Sequence, residues 1–362
     1  MKSENKTVLL DARELVPMRM TGIGRVLRGL AGALADADFV DQVVLAIGFP
    51  AALPVSLKAR NKIRLLRVPA SFLASEMALS RLSAKSDLFV SPYPKLPLFG
   101  TYCPTIHIIH DVLDLTHPQY RMRLKTVFDG WRLKKALKRA DLTWYDSSWS
   151  MEETKRYAGH PGRNPKVRYP GIDERFTPSV PDSDAATLSR YDLTPRYILC
   201  VGNGLPHKNL GVLLEISHQL KRNFVIVGVS RRNQSYWKSK YPQADAVWIE
   251  HSPDEDLPAL MRNSFCLVLP STMEGYGYPP LEAMACGTPT VASDIPVLRE
   301  TTGGASLYAD PLRPSEWTEC VNSLENPNFR GAVTKRGFDW VRRFRGPQPW
   351  LPYLTDLEEI CT

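Results

Sequence analysis

At 362 residues the chain is longer than one ordinary hydrophobic core organises and suits two domains. Its 43% hydrophobic and 23% charged content is that of a globular protein, and no apolar run reaches the roughly 18 residues of a membrane-spanning helix. The net charge of +8 is lopsided: residues 1–185 hold 28 Lys and Arg against 19 Asp and Glu, the remainder 18 against 19. An anionic partner for the front half follows, and nucleic acid is disfavoured because no binding module accompanies the basic residues.

The N-terminal MKSENKTVLLDAR enters a strand-like run without the apolar core of a signal peptide. The six cysteines, at 103, 200, 266, 286, 320 and 361, lack CxxC spacing and read as small core residues of a reducing compartment. A cytoplasmic location is therefore expected.

Short β-rich runs then alternate with helical ones. TVLLDAR (7–13), VVLAIGF (43–49), IRLLRV (63–68), DLFVSPY (87–93), TIHIIHD (105–111) and LTWYDSS (142–148) are predicted strands, and GIGRVLRGLAGALAD (22–36) is a predicted helix. The densest basic stretch, residues 120–144, sets Arg121, Arg123, Lys125, Lys135 and Arg139 among Val127, Phe128 and Trp131 at roughly helical spacing. It reads equally as the solvated face of an ordinary helix or as a weak contact with anionic membrane. FTPSVPDSDAATLSRYDLTPR (176–196) is polar and proline-bearing, a linker. The pattern restarts with YILCVGN (197–203), FVIVGV (224–229), AVWIE (246–250), FCLVLPS (265–271), TVASD (290–294) and SLYAD (306–310).

Near-continuous apolar strands between helices predict the α/β class, with parallel sheets covered on both faces. Two such units in tandem make two Rossmann-like doubly wound domains, expected at 1–180 and 181–345, with ligands at the carboxyl ends of the strands and in a cleft between the domains. Gly346, Pro347, Pro349 and Pro352 interrupt the final segment, 346–362. Two courses fit that tail: packing on its own domain, or crossing back to the first.

The stretch EGYGYPPLEAMACG (274–287) places two glutamates eight positions apart around a glycine-rich loop. FCLVLPS is the strand before it, and PLEAMACG is the predicted helix, with Gly287 as its cap. Backbone N–H groups at a helix start favour anionic oxygens, and Gly275 and Gly277 permit close approach. Carboxylates beside an anion site suit a ligand that also presents hydroxyls, because an ionised carboxylate only accepts hydrogen bonds. A sugar nucleotide offers both. Glu282 alone also reads as an acid in the first helical turn, stabilising the helix dipole.

This glutamate pair, within STMEGYGYPPLEAMACGTPTVASDIPVLRE, resembles that of the retaining nucleotide-sugar glycosyltransferases of the GT-B fold, family 4. DARELVPMRMTGIGR (11–25), IHD (109–111), SSWSMEETKR (147–156), RYPGIDERFTP (168–178) and VGNGLPHKNL (201–210) follow in the order of that family. Within that family it looks most like the mannosyltransferase-like members that build bacterial surface polysaccharides.

The resemblance implies roles. Glu282 would accept from the nucleotide ribose, and Glu274 would hold the donor-sugar hydroxyls, with the backbone of Gly275, Tyr276, Gly277 and Tyr278 close to sugar and phosphate. Lys208 would meet the departing diphosphate, where negative charge grows, with Asn203, Gly204 and Asn209 shaping its loop. His110, with Asp111 beside it, would face the donor sugar. Gly22 and Gly24 would let the first helix approach phosphate or acceptor, and His251 and Ser252 would contact the base. The family commonly places an arginine shortly before the phosphate lysine; here Asn203 and His207 stand nearby, leaving His207, when protonated, or Arg25 as substitutes.

No Asp-x-Asp motif sits at the end of a predicted strand, so a metal is not implied; no cofactor is implied, and position 207 breaks a GxGxxG dinucleotide signature. The resemblance thus implies metal-independent, retaining transfer of a hexose, mannose from GDP-mannose favoured, to a saccharide that the basic surface suggests is lipid-linked. The expected location is cytoplasmic, with the basic surface as the candidate for peripheral contact with the inner face of the cytoplasmic membrane. A nucleotide-sugar epimerase of the same fold, or an inactive scaffold in a polysaccharide-building complex, stand as alternatives.

Overall fold

The computed structural model describes residues 6–15, 21–48, 55–120 and 124–361. Residues 16–20 of the 11–25 motif, Phe49, and Arg121 and Arg123 of the basic stretch lie outside them. The chain divides into two compact units, one ending at Gly171 and resuming at Gly346, the other spanning Ile172–Arg345.

The first unit holds β1 (Lys6–Asp11), β2 (Val40–Ile47), β3 (Ile63–Arg67), β4 (Leu88–Ser91), β5 (Thr105–Ile109), β6 (Leu142–Tyr145) and β7 (Pro165–Val167). They pair in parallel in the order β3-β2-β1-β4-β5-β6-β7. β4, β5 and β6 are buried along their whole length, which is why their sequences read as unbroken apolar runs. The two edge strands, β3 and β7, have no buried residue, and Arg64 and Arg67 leave β3 charged.

The second unit holds β8 (Ile198–Val201), β9 (Phe224–Val227), β10 (Ala246–Ile249), β11 (Cys266–Leu269), β12 (Thr290–Ser293) and β13 (Leu307–Ala309), in the parallel order β10-β9-β8-β11-β12-β13. Phe89 in the first sheet, and Phe224 and Phe265 in the second unit, are fully buried, each stabilising by about 1.5–3 kcal/mol. The α/β class and the two doubly wound sheets expected from the sequence are present.

Each strand order reverses once, between β1 and β4 and between β8 and β11. There the loops leaving two neighbouring strands turn to opposite faces and open a crevice at the carboxyl edge.

The division between units falls at Gly171, ahead of the 180/181 boundary expected from composition. The polar stretch after Gly171 is bound into the second unit by its backbone. Ile172 N–H donates to Phe344 O (2.8 Å), Arg345 Nη1 to Phe176 O (2.8 Å) and Arg262 Nη1 to Thr177 O (3.1 Å), while Phe176 is fully buried.

The final segment packs on the first unit. The Trp350 ring lies so close to Gly29 that a Cβ there would come within 2.0 Å of it. In the helix Leu351–Cys361, buried Asp356 accepts from Trp144 Nε1 (2.8 Å), Lys166 Nζ (2.7 Å), and Arg168 Nε (2.8 Å) and Nη2 (2.9 Å). Those donors hold its carboxyl below the usual range despite the opposing effect of burial. All six cysteines are free thiols. No helix among the described residues is long and apolar enough to cross a membrane.

Candidate active site

In the second unit, the loops after β8 and β11 meet at the strand-order reversal. The first runs from Gly202 into a 3-10 turn, Pro206–Lys208. The second runs from Pro270 to the helix Tyr278–Ala285. Asn209 stitches them, its Nδ2 donating to Pro270 O (3.1 Å) and Pro311 O (2.7 Å), and Thr272 N–H donates to His207 O (2.8 Å). The Lys208 stem lies against Gly202, so its ammonium crosses towards the second loop.

That ammonium donates to Glu274 Oε1 at 2.6 Å, and Ser271 Oγ donates to the same oxygen at 2.7 Å. Burial alone would push the Glu274 carboxyl up. Lys208, Ser271 and nearby His207 outweigh it and hold the group below its ordinary value, so it is ionised at neutral pH. The loop carboxylate expected to meet sugar hydroxyls is thus paired with the lysine expected to meet diphosphate. Lys208 is the sole Lys or Arg in either loop, 203–209 or 270–278.

Gly277 has φ +86°, and a Cβ there would come within 2.5 Å of Leu298 Cδ2, so no other residue fits without displacement. Tyr276 and Tyr278 flank it, both buried, their rings edge-to-face at 5.0 Å. The helix begins at Tyr278, two residues before the expected start at Pro280, so both prolines fall in its first turn. Prolines are tolerated in a first turn because N–H groups there have no intrahelical acceptor. Their presence also removes two of the amide donors that an anion would use, leaving more of the charge compensation to Lys208.

Glu282 is the fifth helical residue and 1% exposed. It therefore lies beyond the first turn, where the helix dipole would account for an acid. Asn203 Oδ1 accepts Leu205 N–H (3.1 Å), and Gly204 O accepts from Trp237 Nε1 (3.0 Å); both shape the loop. His207 is buried beneath Lys208's turn. His251 and Ser252 follow β10 on the same carboxyl edge, two strands from β8. Ser252 Oγ accepts from Tyr191 Oη (3.3 Å), and His251 is exposed.

In the first unit, His110 follows β5 and Asp146 follows the neighbouring strand β6. His110 Nδ1–H donates to Asp146 Oδ2 at 2.5 Å, and its backbone carbonyl accepts from Ser150 Oγ at 2.7 Å. Nε2, buried, has no hydrogen-bond partner among the described residues. Burial disfavours the imidazolium, but Asp146, with Asp111 and the Pro92 carbonyl, prevails and raises its pKa. Asp111, adjacent in sequence, instead turns its Oδ1 to Leu113 N–H (2.9 Å) and so opens the next short helix.

Gly22 and Gly24 lie in the first turn of the helix Gly22–Asp36, where Thr21 Oγ1 accepts Gly24 N–H (3.1 Å) and itself donates to Glu14 (2.9 Å). Arg25 lies on that helix, in the first unit.

Sequence reading assigned nothing to Asp146, Ser271, or the cluster beside β1. There Arg13 donates twice to Asp11 (2.8 and 2.7 Å) and once to Glu76 (3.2 Å). Asp146 carried one usable signal: it lies in the carboxyl-terminal part of a predicted strand, as His110 does. Among the described residues no group of three or more His, Cys, Asp or Glu side chains is placed to hold a metal ion.

Comparisons with known proteins bear on the family and the fold. Residues 189–337 match the family Glycosyl transferases group 1. The O-antigen chain mannosyltransferase B of Escherichia coli is 27% identical over 365 residues, covering 93% of this chain and 95% of that protein. The O-antigen chain mannosyltransferase RfbU of Salmonella typhimurium is 27% identical over 161 residues, 41% of this chain and 46% of that protein. Among solved structures, Anabaena Alr3699/HepE in complex with UDP and glucose superposes with a TM-score of 0.78 at 17% identity, over 98% of this chain and 99% of that one, a likeness of fold.

Proposed function

We propose that this chain, a GT-B glycosyltransferase carrying a glycosyl transferases group 1 domain over residues 189–337, transfers mannose from GDP-mannose to a hydroxyl of a lipid-linked O-antigen-type saccharide. The observation that carries this reading is the Lys208–Glu274–Ser271 cluster at the β8/β11 reversal. A diphosphate entering there takes over the Lys208 ammonium, and charge building on the leaving oxygen meets a cation already in place. The Glu274 carboxylate, given up by Lys208, turns to donor-sugar hydroxyls, and Glu282 accepts from the ribose. The resemblance to O-antigen mannosyltransferases supports the choice of sugar and acceptor.

The same reading includes retention at the anomeric carbon, with the departing phosphate oxygen taking the acceptor's proton. No pair of carboxylates is assigned to a covalent intermediate of the glycosidase kind. His110, braced by Asp146, presents Nε2 to the donor sugar. Transfer needs no divalent metal, the positive charge being supplied by Lys208. The enzyme works on the cytoplasmic side of the membrane, where nucleotide sugars are made.

The test is a thermal-shift panel of nucleotide sugars followed by turnover on lipid-linked acceptor, with and without EDTA, and NMR of the product's anomeric configuration. Stabilisation by GDP-mannose above UDP-glucose, an α product and EDTA-insensitive turnover are expected. Preference for a uridine nucleotide, an inverted product or loss of activity in EDTA would each overturn the corresponding part.

A further inference from the structure

At the amino edge of the second sheet, opposite the loops that carry Lys208 and Glu274, basic side chains gather around one aromatic ring. Arg196 and Arg222 stand two residues before β8 and β9, and Phe265 stands immediately before β11; the three strands are neighbours in the order β9-β8-β11. Arg330 comes from the first turn of the helix Pro327–Val341. The Phe265 ring is fully buried, and the guanidinium carbons of Arg222, Arg330 and Arg196 lie 3.9, 5.1 and 5.5 Å from its centroid. Arg222 Nε and Nη2 donate to Glu325 Oε1 (2.9 Å) and Oε2 (2.8 Å), and Arg330 Nε and Nη2 donate to Phe265 O (3.3 and 3.1 Å). Each of those two arginines keeps its Nη1 edge. The Arg196 guanidinium has no hydrogen-bond or ion-pair partner among the described residues.

The hydrogen bonds from Arg222, with the charges of Arg222, Arg196 and exposed Lys221, hold the Glu325 carboxyl below its ordinary range. Burial, with the like charges of Arg196 and Arg222, presses the Arg330 guanidinium below its ordinary pKa. Packing does not account for this grouping. One stacked guanidinium covers a buried ring, whereas a second and a third beside it add like-charge repulsion that one carboxylate offsets only in part. The backbone at Arg196 is strained as well. Its φ is +75°, a left-handed position that glycine or asparagine takes at lower cost, and its N–H donates to Asn263 O at 2.7 Å. An arginine is thus held in an unfavourable backbone position with its side chain exposed and unpaired.

We propose that this cluster binds a phosphate-class oxyanion, its oxygens shared by the Arg196 guanidinium and the remaining Nη1 edges of Arg222 and Arg330. Planar guanidinium forks match phosphate oxygens in geometry and stay charged at every working pH. Arg196, Lys221, Arg222 and Arg330 against the single Glu325 leave an excess that a multivalent anion cancels and a lone carboxylate does not. The phosphate is either free, as inorganic phosphate or pyrophosphate, or carried by a small ester. The site lies at the far end of β8 from Lys208 and does not rest on the activity proposed above.

The experiment is isothermal titration of inorganic phosphate, pyrophosphate and glucose 1-phosphate, at fixed ionic strength, into the whole chain carrying Lys208→Ala, which disables the nucleotide loops. Saturable binding of at least one of the three is expected, and the tightest of them tells a free phosphate from an esterified one. Arg196→Gly, added to that background, removes the guanidinium and relaxes the backbone. It should fold and bind about tenfold or more weakly, the usual worth of one charge-assisted hydrogen bond. Its melting temperature should match or exceed that of its parent without ligand, and should no longer rise when the anion is added. Arg330→Gln should weaken binding in the same direction. No saturable binding to the Lys208→Ala chain overturns the proposal, as does parental affinity in folded Arg196→Gly or an equal response to sodium chloride. So does binding of hexaglutamate with none of the three phosphates, which would give the surface to an acidic protein.

Discussion

Replacing Glu274 with Gln removes one charge and almost no volume. Ser271 can still donate to the amide oxygen, so the loop keeps its shape, but the Lys208 ammonium loses the carboxylate 2.6 Å away. At that separation the bare attraction is about 6 kcal/mol for an effective dielectric of roughly 20. Desolvation of both groups offsets much of it, leaving a net worth of about 1.5–3 kcal/mol for a hydrogen bond to a charged group. A Lys208 released from that contact gives the difference to an incoming diphosphate. Isothermal titration should therefore show GDP binding to Glu274→Gln tightened by roughly ten- to hundredfold, the same 1.5–3 kcal/mol expressed as affinity. Turnover should move the other way. Tighter pairing in the ground state, without the carboxylate that positions the sugar, removes transition-state discrimination, and kcat should fall about 10²–10³-fold. Lys208→Ala should weaken GDP and slow turnover together. If Glu274→Gln binds GDP more weakly and keeps near-normal kcat, Glu274 does not compete with diphosphate for Lys208, and the proposed handover is wrong.

Three other substitutions probe separate parts of the molecule. Asp146→Asn removes the main group raising the His110 pKa, so any limb of the pH–rate profile owed to His110 should shift to lower pH, with kcat/KM down about 10²–10⁴-fold; an unmoved limb would detach His110 from the chemistry. Asp356→Ala leaves Lys166, Arg168 and the Trp144 N–H without their shared acceptor and should cost about 1.5–3 kcal/mol in urea unfolding of the first unit, since the two cations keep access to water. Because the Asp356 pKa is depressed in the folded state, its contribution is present above the ordinary carboxylate pKa. In the wild type it should fade as pH drops through the lower folded value, and the gap between wild type and variant should close there. Gly277→Ala forces a Cβ into a left-handed backbone position against Leu298 and should lower stability by about 1–3 kcal/mol, read as a lower melting temperature.

The two sheets were legible because parallel strands buried on both faces write themselves as apolar runs, as FVIV and CLVL do. Adjacency across a sheet is written nowhere in the chain. His110 and Asp146 are 36 residues apart and meet only because β5 and β6 pair, whereas Asp111, next in sequence, accepts the Leu113 N–H. Lys208 and Glu274 could each be singled out from loop chemistry, but their mutual contact spans 66 residues and depends on β8 lying beside β11. The boundary was misplaced because composition registers where polarity and prolines gather, while Ile172 and Phe176 are bound to the second unit by backbone hydrogen bonds and burial. The helix was expected from Pro280 and starts two residues earlier, because a first turn accommodates both Pro279 and Pro280.

The return of Asp356 and Trp350 to the first unit has a consequence during synthesis. Residues 346–362 leave the ribosome only after the whole of 172–345, so the domain whose strands are made first is the last to receive all its parts. The second unit, contiguous in sequence, can close while the first still waits with Trp144, Lys166 and Arg168 lacking their acceptor. A chain cut short after Arg345 would then carry a closed second unit beside an incomplete first one, and limited proteolysis should cleave its 1–171 part before its 172–345 part.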